Sequence, residues 1–443
     1  MNIVSLVKLI KNKIGETTES EEVIYLSKVI EVLNTGTIKT VSTYSELLSI
    51  IPKSKDIYFV EDEKKLYYFN FGLWILLFDS ISIVSRSWGL NSNGQLGDDT
   101  STSRRSPVLV VGSFTDWIQA SASNIHSLGV RANGTLWAWG SNGNGRLGDN
   151  STTNRNSPVS VVGGFTDWVQ ASAGGFNSLG LRANGTLWAW GSTSQGRLGD
   201  NTSTITSRTS PVQVVGGFAD WISASAGGSH SLGLRANGSL WAWGFNGNGQ
   251  LGDDTLTTRS SPVSVVGDFT DWIQASAGGF HSLGVRANGT LWAWGFSAGR
   301  LGDNTTINRS SPVSVVGGFT DWISASAGDS HSLGVRANGT LWAWGLNSFG
   351  RLGDNTQTSR SSPVSVVGGF TDWIQASAGG SHSLGLRANG SLWAWGFNGE
   401  GRLGDNTITS RRSPVSVVGG FEDWIQASAG DNHSIGVRAI INN

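Results

Sequence analysis

Cysteine is absent from the 443-residue chain, which excludes a disulfide framework and thiolate metal sites. Stability must therefore come from burial and backbone pairing. Neither charge is in excess, with 31 Lys and Arg against 32 Asp and Glu, so no basic stripe recommends nucleic acid as a partner. The longest apolar run, FGLWILLF at Phe71 to Phe78, is far short of the roughly 18 residues of a membrane helix. The opening MNIVSLVKLIKNK scatters lysines through its apolar positions and does not read as a secretory signal. The expectation is a soluble chain without an export address and without membrane insertion. Lysine stops at Lys65 and tyrosine at Tyr68, whereas every arginine lies at Arg86 or later. This step in composition predicts two regions joined near residue 80.

What the chain has in abundance is glycine (62) and tryptophan (21), and both recur in phase. The second tryptophan of WAWG falls at Trp139, Trp190, Trp243, Trp294, Trp344 and Trp395, after a partial copy at Trp88, at spacings of 50 to 53 residues. A tryptophan after Asp recurs seven times from Trp117 to Trp424, and the residue before Ser in HSLG is His126, Asn177, His230, His281, His331, His382 or His433. Each unit holds four strand-like pieces, as in SPVSVVG, DWIQASAG, HSLGVRA and TLWAWG, separated by turn residues. A period near 50 with four strands predicts a propeller blade rather than a helical solenoid. Asn-Gly between the third and fourth pieces, as at Asn288-Gly289, predicts a type I′ hairpin with φ > 0 at both positions. The last unit ends at HSIGVRAIINN without WAWG, and the first begins ISIVSRSWG without the preceding half. Ile81 to Trp88 is therefore expected to pair with His433 to Ile440 and close the ring. The fold class expected is mainly β, a seven-bladed β-propeller over residues 81–443, preceded by a small α+β module over residues 1–80.

WAWG, then GRLG at Gly299 to Gly302, then AGxxHSLGVR, all in phase, make residues 82–443 resemble the regulator of chromosome condensation repeat family. The resemblance implies a seven-bladed propeller. Members of that family serve in nucleotide exchange, in ubiquitin ligases and in plain binding, so it carries fold rather than function.

Within the repeat, 20 tryptophans bury too much aromatic surface to be left in water and are read as core. The histidines sit one to a blade without a second ligand nearby, and Asn177 replaces one of them, which suits a structural hydrogen bond better than a metal. The LGD loops, such as LGDNTT at Leu301 to Thr306, carry too few carboxylates for calcium and read as Asp and Asn turns. With no tyrosine after Tyr68 and only Glu400 and Glu422 as glutamates in the repeat, a tyrosine-nucleophile sialidase is excluded and a paired-carboxylate glycosidase has little to work with. No catalysis, cofactor or metal is expected. The copies diverge just after WAWG, placing Phe245, Phe296, Leu346, Phe349 and Phe397 in polar loops, and just before the histidine, at Ile125, Phe176 and Phe280. Exposed loop aromatics of this kind are candidate binding anchors.

Residues 1–80 read as two short amphipathic helices, the second capped by Ser20, then a small helix and a β-hairpin turning at Glu61 to Lys65. Asp56 to Asp62, Leu66 to Tyr68 and Gly72 to Trp74 resemble short modules of bacteriophage tail fibres and other virion appendages. That resemblance implies a virion structural protein that attaches to other virion proteins through residues 1–80, forms a homo-oligomer, and presents propeller loops to a host surface glycan or protein. The alternative is an intracellular regulator resembling a guanine nucleotide exchange factor; a third reading is passive decoration of a particle.

Overall fold

The computed structural model describes residues 80–204, 206–267 and 269–442, and before them four strands at Lys39–Val41, Ile57–Val60, Lys65–Asn70 and Leu73–Phe78. Those four form one sheet in sequence order, with Ile57–Val60 pairing antiparallel with Lys65–Asn70, while residues 61–64 of the expected turn lie outside the described residues. The expected helices of residues 1–50 lie outside the described residues. Among the described residues no helix is long and apolar enough to cross a membrane.

From Ser80 onward the chain forms seven four-stranded antiparallel sheets. Blade 1 runs from an inner strand, Trp117–Ala122, through His126–Arg131 and Leu136–Gly140 to an outer strand, Arg155–Ser160. Blades 2 to 6 repeat this order and begin at Trp168, Trp221, Trp272, Trp322 and Trp373. Blade 7 takes Trp424–Ala429 and His433–Asn442 from the end of the chain and Ser80–Gly89 and Arg104–Leu109 from its beginning. Its seam pairs His433 with Gly89 and Ile440 with Ser82, so the ring closes through the ends as the incomplete first and last copies required. Proline sits in the outer strands, as at Pro312 within Arg309–Ser314, where an edge tolerates its missing donor.

The core lies between blades rather than within them. Leu283, Val285, Leu291 and Ala293 of blade 4 pack against Trp322, Ala325, Ala327 and Trp344 of blade 5. The second WAWG tryptophans and Trp88 are fully buried, as expected of core residues. The first WAWG tryptophan is only half-buried, because it lies at the blade margin against a phenylalanine: Trp342 and Phe319 have centroids 4.9 Å apart. Gly334, the glycine of HSLG, lets Trp322 lie flat across its neighbour strand. A Cβ there would stand 2.5 Å from the indole Cζ3.

The Asn-Gly corner differs from the expected type I′ turn. Only glycine has positive φ, +74° at Gly339, and its N–H donates to Arg336 O at 2.9 Å while Arg336 N–H donates to Thr340 O at 3.0 Å. This is a three-residue loop, a type I turn closed by a glycine bulge. Asn338 is kept at negative φ by its own side chain, whose Oδ1 accepts from Thr340 N–H and Oγ1–H.

Candidate functional site

Alternation of strand direction puts the loops between first and second strands, and those between third and fourth, on one face of the ring. Phe176, Phe280, Phe245, Phe296, Leu346, Phe349 and Phe397 all sit in such loops, and of these Phe176 and Phe280 line the mouth of the central channel. The mouth is a cavity of about 260 Å³ walled by the final alanine of every inner strand and the small residues after it, with Phe176, Phe280, Asp329 and Asp431 on its rim.

Beneath this face a layer of constant residues locks the blades together. His331 Nε2 lies 2.8 Å from Ser383 Oγ of the next blade, and that hydroxyl donates to Arg351 O at 2.8 Å. Because the serine proton is committed to the carbonyl, the imidazole must donate from Nε2. Trp395 Nε1–H donates to the same carbonyl at 2.8 Å. The link recurs between every pair of neighbours, from His126 to Ser178 round to His433 and Ser127, with Asn177 donating to Ser231 in place of an imidazole. Burial depresses every one of these imidazoles, with Arg146, Arg197, Arg300, Arg351 or Arg402 nearby adding to the effect, to about 3 for His230, His281 and His433. These are neutral structural linkers, and among the described residues no cluster of three His, Asp or Glu could hold a metal. The LGD carboxylates are likewise structural: Asp354 accepts from Thr356, Asn347 and Arg360 within its own loop.

Above that layer the blades differ. In five blades the residue after the first glycine of GxLG is arginine, Arg146, Arg197, Arg300, Arg351 or Arg402, and each is buried. Each guanidinium reaches the inner loop of the next blade: Arg351 Nη1 donates to Gly380 O at 3.0 Å and Arg146 Nη1 to Gly175 O at 3.1 Å. Burial lowers Arg146, Arg197 and Arg351 to about 10, which leaves them cationic at neutral pH. The variable phenylalanines cap this ring. Phe176 sits between Arg146 and Arg197, with guanidinium carbons 5.3 and 5.4 Å from its centroid; Phe296 covers Arg300 at 4.8 Å and Phe397 covers Arg402 at 4.7 Å. Phe349 packs against Phe397 at a tilt of 46° with centroids 4.7 Å apart, and Phe280 meets Phe296 edge-on at 6.3 Å. Phe245 stands apart in a blade that has Gln250 in place of arginine, and folds over its own loop at Gly247. Leu346 is half-buried, and so is Ile125.

Two acids complete the mouth. Asp329 and Asp431 flank Gly380 and hydrogen-bond to each other. Burial raises both, and Asp329 further raises Asp431, to about 7, so the pair holds one proton near neutrality. Neither the arginine ring nor this pair was singled out from sequence. The signal was there: arginine alternates with Gln95 and Gln250 at an otherwise constant position, and aspartate interrupts Gly-Gly in only two copies.

Profiles of known families match most of the ring. The RCC1-like domain profile matches residues 160–440, and Regulator of chromosome condensation (RCC1) repeat profiles match residues 87–130, 133–181 and 117–146. The Ultraviolet-B receptor UVR8 of Arabidopsis thaliana is 27% identical over 77% of this chain and 68% of its own length. The mitochondrial RCC1 domain-containing protein RUG3 of the same plant is 28% identical over 76% and 71%. Two solved structures share the fold: human WBSCR16, TM-score 0.72 at 21% identity, covering 81% of this chain and 99% of that one, and Prp20p of Saccharomyces cerevisiae, TM-score 0.73 at 21% identity, covering 82% and 92%.

These relatives overturn the expectation of a virion protein, and with it the virion partners, the host-surface glycan or protein receptor and the location in a virion. They are regulators and receptors, one of them mitochondrial by name. The likeness to tail-fibre modules rests on residues 56–74, which lie outside the residues 87–440 that the family profiles match.

Proposed function

Since the chain belongs to the RCC1-like domain family, we propose that it acts as a regulator that binds a protein partner on the face around the channel mouth, in the manner of a nucleotide exchange factor and without covalent chemistry of its own. One observation carries this reading. Phenylalanine rings lie over buried guanidiniums on the mouth face, where the seven copies diverge. Aromatic and arginine side chains in a partly desolvated rim are the residues that supply binding energy at protein interfaces. The Prp20p structure is described with its binding to Gsp1p and histones, and HERC2 of Homo sapiens, matched over 70% of this chain but 6% of its own length, is an E3 ubiquitin-protein ligase. These relatives support recognition of a protein rather than of a glycan.

The test is binding of the full chain to Gsp1p and to histones by calorimetry, together with release of a labelled guanine nucleotide from a small GTP-binding protein. Faster release, weakened at least tenfold by combined Phe349→Ala and Phe397→Ala, is the expected result. Unchanged release removes the exchange-factor reading, and binding untouched by the double substitution removes the proposed face.

A further inference from the structure

The inner strands meet around the channel as edges, and side chains take the place of a missing ladder between them. At all seven seams a serine Oγ accepts the N–H of the last alanine of the next strand, as Ser326 does from Ala378 at 3.0 Å. Two residues earlier a glutamine performs the same service for the middle alanine, and here the seams are unequal. Ala171 N–H donates to Gln119 Oε1 at 2.7 Å while Gln119 Nε2 donates back to Ala171 O at 3.0 Å. The carboxamides of Gln426 and Gln274 clasp Ala120 and Ala325 in the same two-bonded way, and Gln170 and Gln375 accept from Ala224 and Ala427.

At the two remaining seams the glutamine position is Ser223 or Ser324, and no such bond forms to Ala275 or Ala376. The consequence is visible in burial. The five clasped alanines are 2 to 8% exposed, whereas Ala275 and Ala376 alone are half-buried. Both keep the register of the clasped copies, Ala275 opposite Gly284 and Ala376 opposite Gly385 as Ala171 is opposite Gly180, so their N–H and C=O point toward the channel. Ala275 O receives a long bond from Gln274 Nε2 at 3.3 Å; Ala376 has neither partner.

We infer that the seams at Ser223/Ala275 and Ser324/Ala376 are two binding niches for a primary carboxamide, presented by a small amide or by the glutamine side chain of a partner. The protein supplies the two-bonded template for this ligand three times, at Gln119, Gln274 and Gln426, since a carboxamide donates and accepts in the spacing that a strand edge offers. The inference stands independently of the exchange-factor reading, because it concerns the channel wall and not the loop face.

The experiment uses the full chain labelled with 15N-alanine and follows its amide resonances during titration with propionamide, with propionate as the control that lacks N–H donors. Saturable shifts at Ala275 and Ala376, with Ala120, Ala171, Ala224, Ala325 and Ala427 unmoved and propionate inert, are expected. Ser223→Gln should abolish the response of Ala275 alone and Ser324→Gln that of Ala376 alone, each raising Tm by adding the sixth or seventh clasp. A Gly-Gln-Gly peptide in a second arm distinguishes the sources: stronger shifts than with propionamide assign a partner side chain, weaker ones a free amide. Absent shifts at both alanines, equal shifts at all seven, or responses that persist in the glutamine variants would each overturn the inference.

Discussion

The two faces of the ring are made from the same seven copies, yet they carry different information. The face bearing the Asn-Gly corners is nearly constant: Arg336 pairs with Asp321 at 2.7 Å under the ring of Phe319, and the same trio returns as Arg286, Asp271 and Phe269 and as Arg387, Asp372 and Phe370. The mouth face shares its foundations, the histidine links and tryptophan bonds, but varies above them. Constancy marks the links that recur blade after blade, the tryptophan bonds, the histidine layer and the Arg–Asp pairs, and divergence is concentrated in the loops above them.

The sharpest way to break this comparison is acid. Each buried imidazole is neutral in the fold, its pKa depressed toward about 3 in His230, His281 and His433, against about 6.5 in the unfolded chain. A depressed pKa means that the unfolded state binds more protons, so the stability is complete above pH 6.5 and is lost as pH falls toward 3. Six such groups give a slope of about 8 kcal/mol per pH unit at its steepest. Relief of the raised Asp329 and Asp431 offsets only a minor part of it. With a total stability of about 5–15 kcal/mol, tryptophan fluorescence should report cooperative unfolding near pH 5. A fold intact at pH 4 would show that the imidazoles are not held neutral. His281→Asn, which copies Asn177, should make the slope shallower by about 1.4 kcal/mol per pH unit.

Next in size is the core that both faces rest on. Trp294 is fully buried between blades and donates to Gln250 O at 3.0 Å. Trp294→Ala removes both the packing and the bond, and should cost about 3–5 kcal/mol in chemical denaturation. A midpoint equal to that of the parent would contradict a core role.

Much of this was legible before the structure. The in-phase tryptophans announced blades, and the complementary gaps at HSIGVRAIINN and ISIVSRSWG announced the closure, because an unpaired half-blade at each end has one low-energy solution. Asn-Gly misled by one turn type, since the pair itself does not disclose that Arg336 and Thr340 close a three-residue loop. The variable phenylalanines were visible as deviations from a pattern. What stayed hidden was convergence: Arg146 and Phe176 are 30 residues apart, and only the step from one blade to the next brings them together. Asp329 and Asp431 likewise belong to blades 5 and 7 and meet across Gly380.

The carboxyl pair should respond to pH with the opposite sign to the histidines. Asp431 is raised to about 7 by burial and by Asp329, so its ionisation costs folding stability, a cost absent below the unfolded carboxyl pKa and complete above 7. Asp431→Asn should therefore stabilise the ring by about 1–2 kcal/mol at pH 8, reduced from the full shift because solvent reaches the cavity, and the gain should vanish by pH 4. Paired urea titrations at the two pH values measure it. A pH-independent change would mean that packing and not charge sets the effect.

The smallest expected change in stability belongs to the rim itself. Phe349 is 40% exposed and its main neighbour is Phe397, a pairing worth about 0.5–1.5 kcal/mol beyond burial. Phe349→Ala should lower the urea midpoint by no more than about 1 kcal/mol of stability, a fraction of the Trp294→Ala loss, while weakening partner binding well beyond that. The two variants thus separate the faces by their readouts: one breaks the ring and takes binding with it, the other leaves the ring intact and takes binding alone. If Phe349→Ala instead destabilised the chain as much as Trp294→Ala, the mouth-face aromatics would be scaffold, and divergence among the copies would no longer locate the site of recognition.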